Sequence, residues 1–164
     1  MTRQLIAMLT SKSVKVVMEN HYFQIGGRIF KQREGSAIGV DMSVEGASLY
    51  MLTWDDQFLK KLKKLGIKVE LYFRYVDDIV IGLNGIHHGW MFDGRSGRMV
   101  FDENREKTMP EDQWTLLQLK SIANTLDINI QMEVDTPSMN ESGRLPVLDL
   151  ELFITENQIR HSFY

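Results

Sequence analysis

Residues 70–83 read ELYFRYVDDIVIGL, and this stretch constrains the fold of the chain more than any other. Two short apolar runs, 71–75 and 79–83, flank two adjacent aspartates, a pattern that predicts a tight β-hairpin with Val76 and Asp77 near its turn. Side by side, the carboxylates of Asp77 and Asp78 repel each other, and the nearest cationic residue, Arg74, precedes them on the first strand. A bound divalent cation offsets such repulsion, and hard carboxylate oxygens suit Mg²⁺. An Asp-bearing turn is also a common structural device that holds no ion. The choice between the two depends on the rest of the chain.

A length of 164 residues with 43% apolar content supports one domain with its own core. The absence of cysteine excludes disulfides and thiolate metal sites, so a metal must be held by oxygen or histidine. The N-terminal apolar run, residues 5–9, is too short for a signal segment, and no stretch approaches membrane-spanning length, which predicts no membrane partner. A net charge of −3 is not that of a free-standing nucleic-acid binder, which normally shows a basic excess. Nucleic acid would therefore draw most of its phosphate contacts from other segments.

Along the chain, Leu5, Met8, Leu9, Val16 and Val17 predict an interrupted amphipathic helix over the first twenty residues. Tyr22, Phe23 and Ile25, then Gly26-Gly27, then Ile29 and Phe30 predict a hairpin, since paired glycines supply the positive φ its turn requires. A long helix follows on the stripe Ala47, Tyr50, Met51, Trp54, Phe58, Leu62 and Leu65, ended by Gly66. Its lysines at 60, 61, 63 and 64 suit a solvated helix end better than a nucleic-acid patch. Past the acidic hairpin, Trp90 to Phe92 is expected to face Met99 to Phe101 in a small hairpin within an edge insertion at about 84–107. The adjacent His87 and His88, without a third ligand, read as a solvated turn. Trp54 and Trp90 read as packing residues.

Thr108-Met109-Pro110-Glu111 predicts a capping box that opens a helix with the stripe Leu116, Leu119, Ile122, Ala123 and Leu126. Alternation of Ile128, Ile130, Met132 and Val134 with polar residues predicts a half-buried strand. After a polar turn at 137–143, Leu148, Leu150, Leu152 and Ile154 predict another strand, with a closing strand at 159–163.

The string Phe73-Arg74-Tyr75-Val76-Asp77-Asp78 resembles the reverse transcriptases, whose palm carries a Tyr-x-Asp-Asp hairpin. Other elements stand in the family's order. Tyr22-Phe23, Phe30, Gln32 and Gly35-Ser36-Ala37-Ile38-Gly39 resemble motif B, which implies template or nucleotide contacts at Gln32, Gly35, Ser36 and Gly39. Asp77-Asp78 matches motif C. The helix at 116–126 with the strand at 128–134 resembles motif D, and Leu145-Pro146-Val147-Leu148-Asp149-Leu150 resembles the motif E or primer-grip strand. That likeness implies primer positioning by Leu148, Asp149 and Leu150 together with Tyr75 and Val76, although Asp149 reads more simply as a residue on the solvent face of its strand. For Tyr75, ring packing and stacking on the primer end stay open as alternatives. The likeness is nearest to Penelope-like and related retroelement enzymes, and it runs from about Tyr22 onward.

The sequence departs from the family at three places. Ser43-Val44 stands where a Ser-Pro pair is usual, no lysine occurs in 124–130, and no aspartate precedes Asp41. The last departure matters most, because two-metal phosphoryl transfer takes carboxylates from two elements, and the family's first comes from motif A, ahead of motif B. The chain is therefore expected to be a partial palm that begins after motif A and ends before the thumb.

Together the resemblance implies an α+β fold with a polymerase palm-like antiparallel sheet and helices packed on one face. It implies Asp77 and Asp78 as catalytic metal ligands for Mg²⁺, with Mn²⁺ as a substitute. The implied partners are an RNA or DNA template with its primer, deoxynucleoside triphosphates, and fingers and thumb segments of the same polypeptide. The alternative is a non-catalytic palm that keeps the sheet and acts as a nucleic-acid-binding or structural module.

Overall fold

The computed structural model describes residues 2–35, 42–103, 109–155 and 158–163. Ser36 and Gly39, two of the four residues expected to contact template or nucleotide, lie outside the described residues. Two compact units divide the chain at residues 51 and 52, with helix α2 (Ser43–Lys64) contributing to both.

In the first unit, helix α1 (Arg3–Glu19) forms as its periodicity predicts, but without interruption. It closes with Asn20 Nδ2 donating to the Val16 carbonyl at 2.7 Å. Its apolar residues Leu5, Met8, Leu9 and Val16 are exposed. Strands β1 (Tyr22–Ile25) and β2 (Arg28–Lys31) pair antiparallel around Gly26-Gly27, whose φ angles of 56° and 78° are the left-handed pair that the glycines predict. The cross-strand partners Phe23 and Phe30 stack at 5.6 Å.

In the second unit, α2 buries Trp54, Phe58 and Leu62, four residues apart on one stripe. Trp54 stacks on Phe58 at 4.9 Å. The helix ends at Gly66 with φ 77°, where the Gly66 N–H reaches the Lys63 carbonyl and the Ile67 N–H reaches back to Leu62. These are the two reversed hydrogen bonds of a Schellman stop. Lys61 donates to the Gly97 carbonyl and lies 5.4 Å above the Phe92 ring, while Lys60 pairs with Asp56.

Strands β3 (Val69–Tyr75) and β4 (Asp78–Leu83) form the acidic hairpin, and β5 (Trp90–Asp93) and β6 (Arg98–Phe101) form the next, in the expected register of Trp90 opposite Phe101. The expected insertion is described as far as residue 103, and there it is fastened to helix α3 (Glu111–Ala123). The Ile86 N–H donates to Thr115 Oγ1 at 2.7 Å, the Phe92 N–H to Gln118 Oε1 at 2.8 Å, and Trp114 Nε1 to the Trp90 carbonyl at 3.0 Å. Ile86 and Phe92 are buried. His88 departs from the solvated turn expected of it, because its ring stacks on Trp114 at 5.6 Å.

Helix α3 starts at Glu111 with Pro110 at the cap position and no side-chain cap, which corrects the expected box. In a capping box the glutamate is the third helical residue, whereas Glu111 is the first; Thr108 lies outside the described residues. Leu119, Ile122 and Ala123 are buried as their spacing predicts, and Trp114, Thr115 and Gln118 join them.

Two strand expectations need correction. Residues 130–136 keep the alternation of exposure that the sequence shows, yet form no ladder, and Ile128 is 87% exposed. Local side chains take the place of a partner strand: Asn124 Oδ1 accepts the Met132 N–H at 2.9 Å, and Asp127 Oδ1 accepts the Asn129 N–H at 2.8 Å. After a 3₁₀ turn at Pro137–Met139, strands β7 (Leu145–Val147), β8 (Leu150–Thr155) and β9 (Gln158–Phe163) form a three-stranded sheet. Leu148 and Asp149 are its first turn, not part of a continuous strand, and Leu148 has φ 54°.

The described residues thus hold three helices and four small antiparallel sheets of two or three strands, a mixed α and β architecture. Each sheet joins neighbours in sequence, and the strands do not merge into one sheet among the described residues.

Candidate functional site

The acidic hairpin folds as its sequence predicts. Tyr75 faces Asp78 across the ladder, which leaves Val76-Asp77 as a two-residue turn. Val76 adopts φ 54°, an unusual conformation for a β-branched residue, whose methyls crowd the backbone there. Both aspartates are exposed, and so is the Tyr75 ring at 57%. The carboxylates therefore stand at the apex of the turn, open to solvent.

Behind the apex lies a side-chain cluster that reading along the chain does not reveal. Asp55, on α2, accepts a hydrogen bond from the Tyr72 hydroxyl at 2.5 Å and a charged one from Arg74 Nε at 2.8 Å. The Arg74 and Asp55 side chains are only 11% and 13% exposed, so this ion pair is largely shielded from water. From the same guanidinium, Nη1 donates to the Val76 carbonyl at 2.7 Å and holds the strained residue of the turn. Burial, then the hydrogen bond to Asp55 and its negative charge, push the Tyr72 phenol well above the usual tyrosine range. The cation nearest the aspartates in sequence is thus matched by a carboxylate on another element.

Asp77 and Asp78 also border a cavity of about 680 Å³ within the second unit, walled by β4, α3, the extended residues 132–137 and the β7–β8 turn. Leu148, one of the expected primer-positioning residues, lines the same cavity. Tyr75, Val76, Asp149 and Leu150 do not line it. Four further carboxylates border it, those of Glu111, Asp112, Glu133 and Asp135. Asp135 is taken by Asn140 Nδ2 at 3.1 and 3.2 Å, and Asp112 accepts the Ser138 N–H. Burial opposes ionisation of Asp112, but hydrogen bonds from Ser138, the backbone and Thr136 outweigh it and lower the pKa.

Gln32 and Gly35 belong to the first unit. The Gln32 N–H donates to the His21 carbonyl at 2.9 Å and its side-chain amide to Glu34 at 3.0 Å, closing a bend at Gly35 with φ 73°.

The donor chemistry at the apex fits Mg²⁺, which is commonly held by one or two carboxylates with water or phosphate oxygens completing its shell. Asp77 and Asp78 supply those two, and no group of three or more candidate ligands converges among the described residues. Compared with known proteins, the chain matches no family model, no curated protein and no solved structure.

Proposed function

We propose that this chain is the palm portion of an RNA-directed DNA polymerase of the retroelement type, acting in nucleotidyl transfer onto a primer 3′-hydroxyl. The observation that carries the reading is the exposed Asp77-Asp78 pair on a tight hairpin whose own arginine is already paired with Asp55. In this reading Asp77 holds divalent metal and Asp78 supports it. Bound there, Mg²⁺ lowers the cost of the attacking alkoxide and of charge developing on the phosphoryl oxygens. Leu148, across the cavity, positions the primer end, and Gln32 and Gly35 approach template or nucleotide. Template, deoxynucleoside triphosphate and the rest of the polymerase are the partners. A second carboxylate-bearing element has to join Asp77 and Asp78, so the chain alone does not extend a primer.

Titration with Mn²⁺, followed by paramagnetic broadening of backbone amides, tests the pair. Selective broadening around Asp77 and Asp78, abolished in Asp77→Asn, is the expected result. Uniform weak broadening over all acidic surface would overturn the half-site and leave a non-catalytic module as the better reading. DNA synthesis by the chain alone would overturn its half-site character.

A further inference from the structure

We propose that Asp55 is a positioning residue for the aspartate pair, one that keeps the positive charge of Arg74 away from Asp77 and Asp78 so that they remain open to an added cation. The inference rests on the reading of that pair as a cation half-site. Arg74 is the cationic residue closest in sequence to the pair, and its Nη1 already reaches the carbonyl of Val76, the residue next to Asp77. The guanidinium carries five donors on a long stem. Left without a carboxylate partner, it has both the reach and the charge to form an ion pair at the apex, where an internal cation competes directly with a metal. Asp55 prevents this from a separate element. Its Oδ2 accepts Nε at 2.8 Å, and the two side chains are almost nine-tenths covered, which strengthens their attraction over that of an exposed pair.

Tyr72 sets the carboxylate's orientation. Its hydroxyl occupies Oδ1 of Asp55, leaving Oδ2 for the arginine. Tyr72 and Arg74 sit two residues apart on β3, hence on one face of the strand, so a single carboxylate from α2 serves both. This arrangement does not neutralise the apex. It matches the strand's cation from behind and leaves the two tip carboxylates without an ion-pair partner among the described residues. A merely structural ion pair would support the hairpin without affecting what the tip binds.

The test is Mn²⁺ affinity at the hairpin, read from amide broadening at low salt in the whole chain and in Asp55→Asn, Asp55→Glu, Arg74→Gln and the double variant Asp55→Asn with Arg74→Gln. Asp55→Asn is expected to weaken Mn²⁺ binding roughly two- to fivefold, the range for a newly available partly exposed ion pair. Asp55→Glu keeps the charge and should restore most of the loss. The double variant should return to near wild-type affinity, because the competing cation is gone. Unchanged affinity in Asp55→Asn, or a double variant as weak as Asp55→Asn, overturns the proposal while leaving the half-site intact. If the wild type itself shows no selective broadening, the half-site reading has failed first and the proposal falls with it. Should Asp55→Asn fail to fold, the double variant, which leaves no charge unpaired, is compared with Arg74→Gln and wild type, and weaker binding in either variant overturns the proposal.

Discussion

The hydroxyl of Thr115 lies 2.7 Å from the backbone nitrogen of Ile86, so a side chain of α3 satisfies a buried amide in the loop that follows β4. This contact and its neighbour from Gln118 to Phe92 explain why the 84–103 segment is held onto the helix. Thr115→Val preserves shape but removes the acceptor. It is expected to cost about 1–3 kcal/mol, while Thr115→Ser should lose far less. Urea denaturation checks both, and equal losses would show that methyl packing, not the hydrogen bond, is what Thr115 contributes.

Val76 has φ 54° at the apex of the acidic hairpin. Asparagine tolerates that conformation better than a β-branched residue does. Val76→Asn is expected to stabilise the chain by about 1 kcal/mol, read as a higher thermal midpoint. A lower midpoint would mean that the Val76 side chain makes a contribution larger than its backbone strain.

Leu62 is fully buried on α2. Leu62→Ala should destabilise by roughly 2–5 kcal/mol, since the space it leaves is enclosed by close-packed neighbours. Exposed Leu5 on α1 provides the contrast, and Leu5→Ala should change stability far less in the same denaturation experiment.

Tyr72 has a folded-state pKa raised above its unfolded value, first by burial and then by Asp55. Its neutral form is favoured on folding. The corresponding stability is fully present below the usual tyrosine range near pH 10 and is lost as pH rises through the folded value. Spectrophotometric titration of wild type against Tyr72→Phe should isolate a phenol that ionises later than an ordinary one. A difference curve centred near pH 10 would show that the hydroxyl is not held as described.

Asp112 behaves with the opposite sign. Its folded pKa is lowered, so its contribution is present above the unfolded carboxylate range and is lost as pH falls through the folded value. As pH falls below the ordinary carboxylate range at about 4, wild type should lose more stability than Asp112→Asn. Parallel acid curves for the two would rule this out.

Turns with distinctive chemistry were legible in the sequence. Gly26-Gly27 and Val76-Asp77 each lie between two short apolar runs, and the structure forms both hairpins about those turns. Helical stripes such as Trp54, Phe58 and Leu62 were equally plain, because each buried residue repeats every four positions. Leu148-Asp149 escaped notice since leucine at positive φ leaves no signature, and Leu148 fits the alternation of its neighbours. Alternation at 130–136 identified which side chains turn inward. It carried no information on whether another backbone edge would be within reach. Asp55 could not be connected with the hairpin either, being 17 and 19 residues from Tyr72 and Arg74 on a different element. The aspartate pair was readable because its residues are adjacent; the residues supporting it were not.

Because every ladder among the described residues joins strands that are consecutive along the chain, no β-pairing has to wait for the closure of a long intervening loop. Each hairpin can nucleate from its own turn, on the order of microseconds, before helix packing begins. Assembly of this chain should therefore be limited by the docking of α2 and α3 onto the hairpins, not by strand pairing.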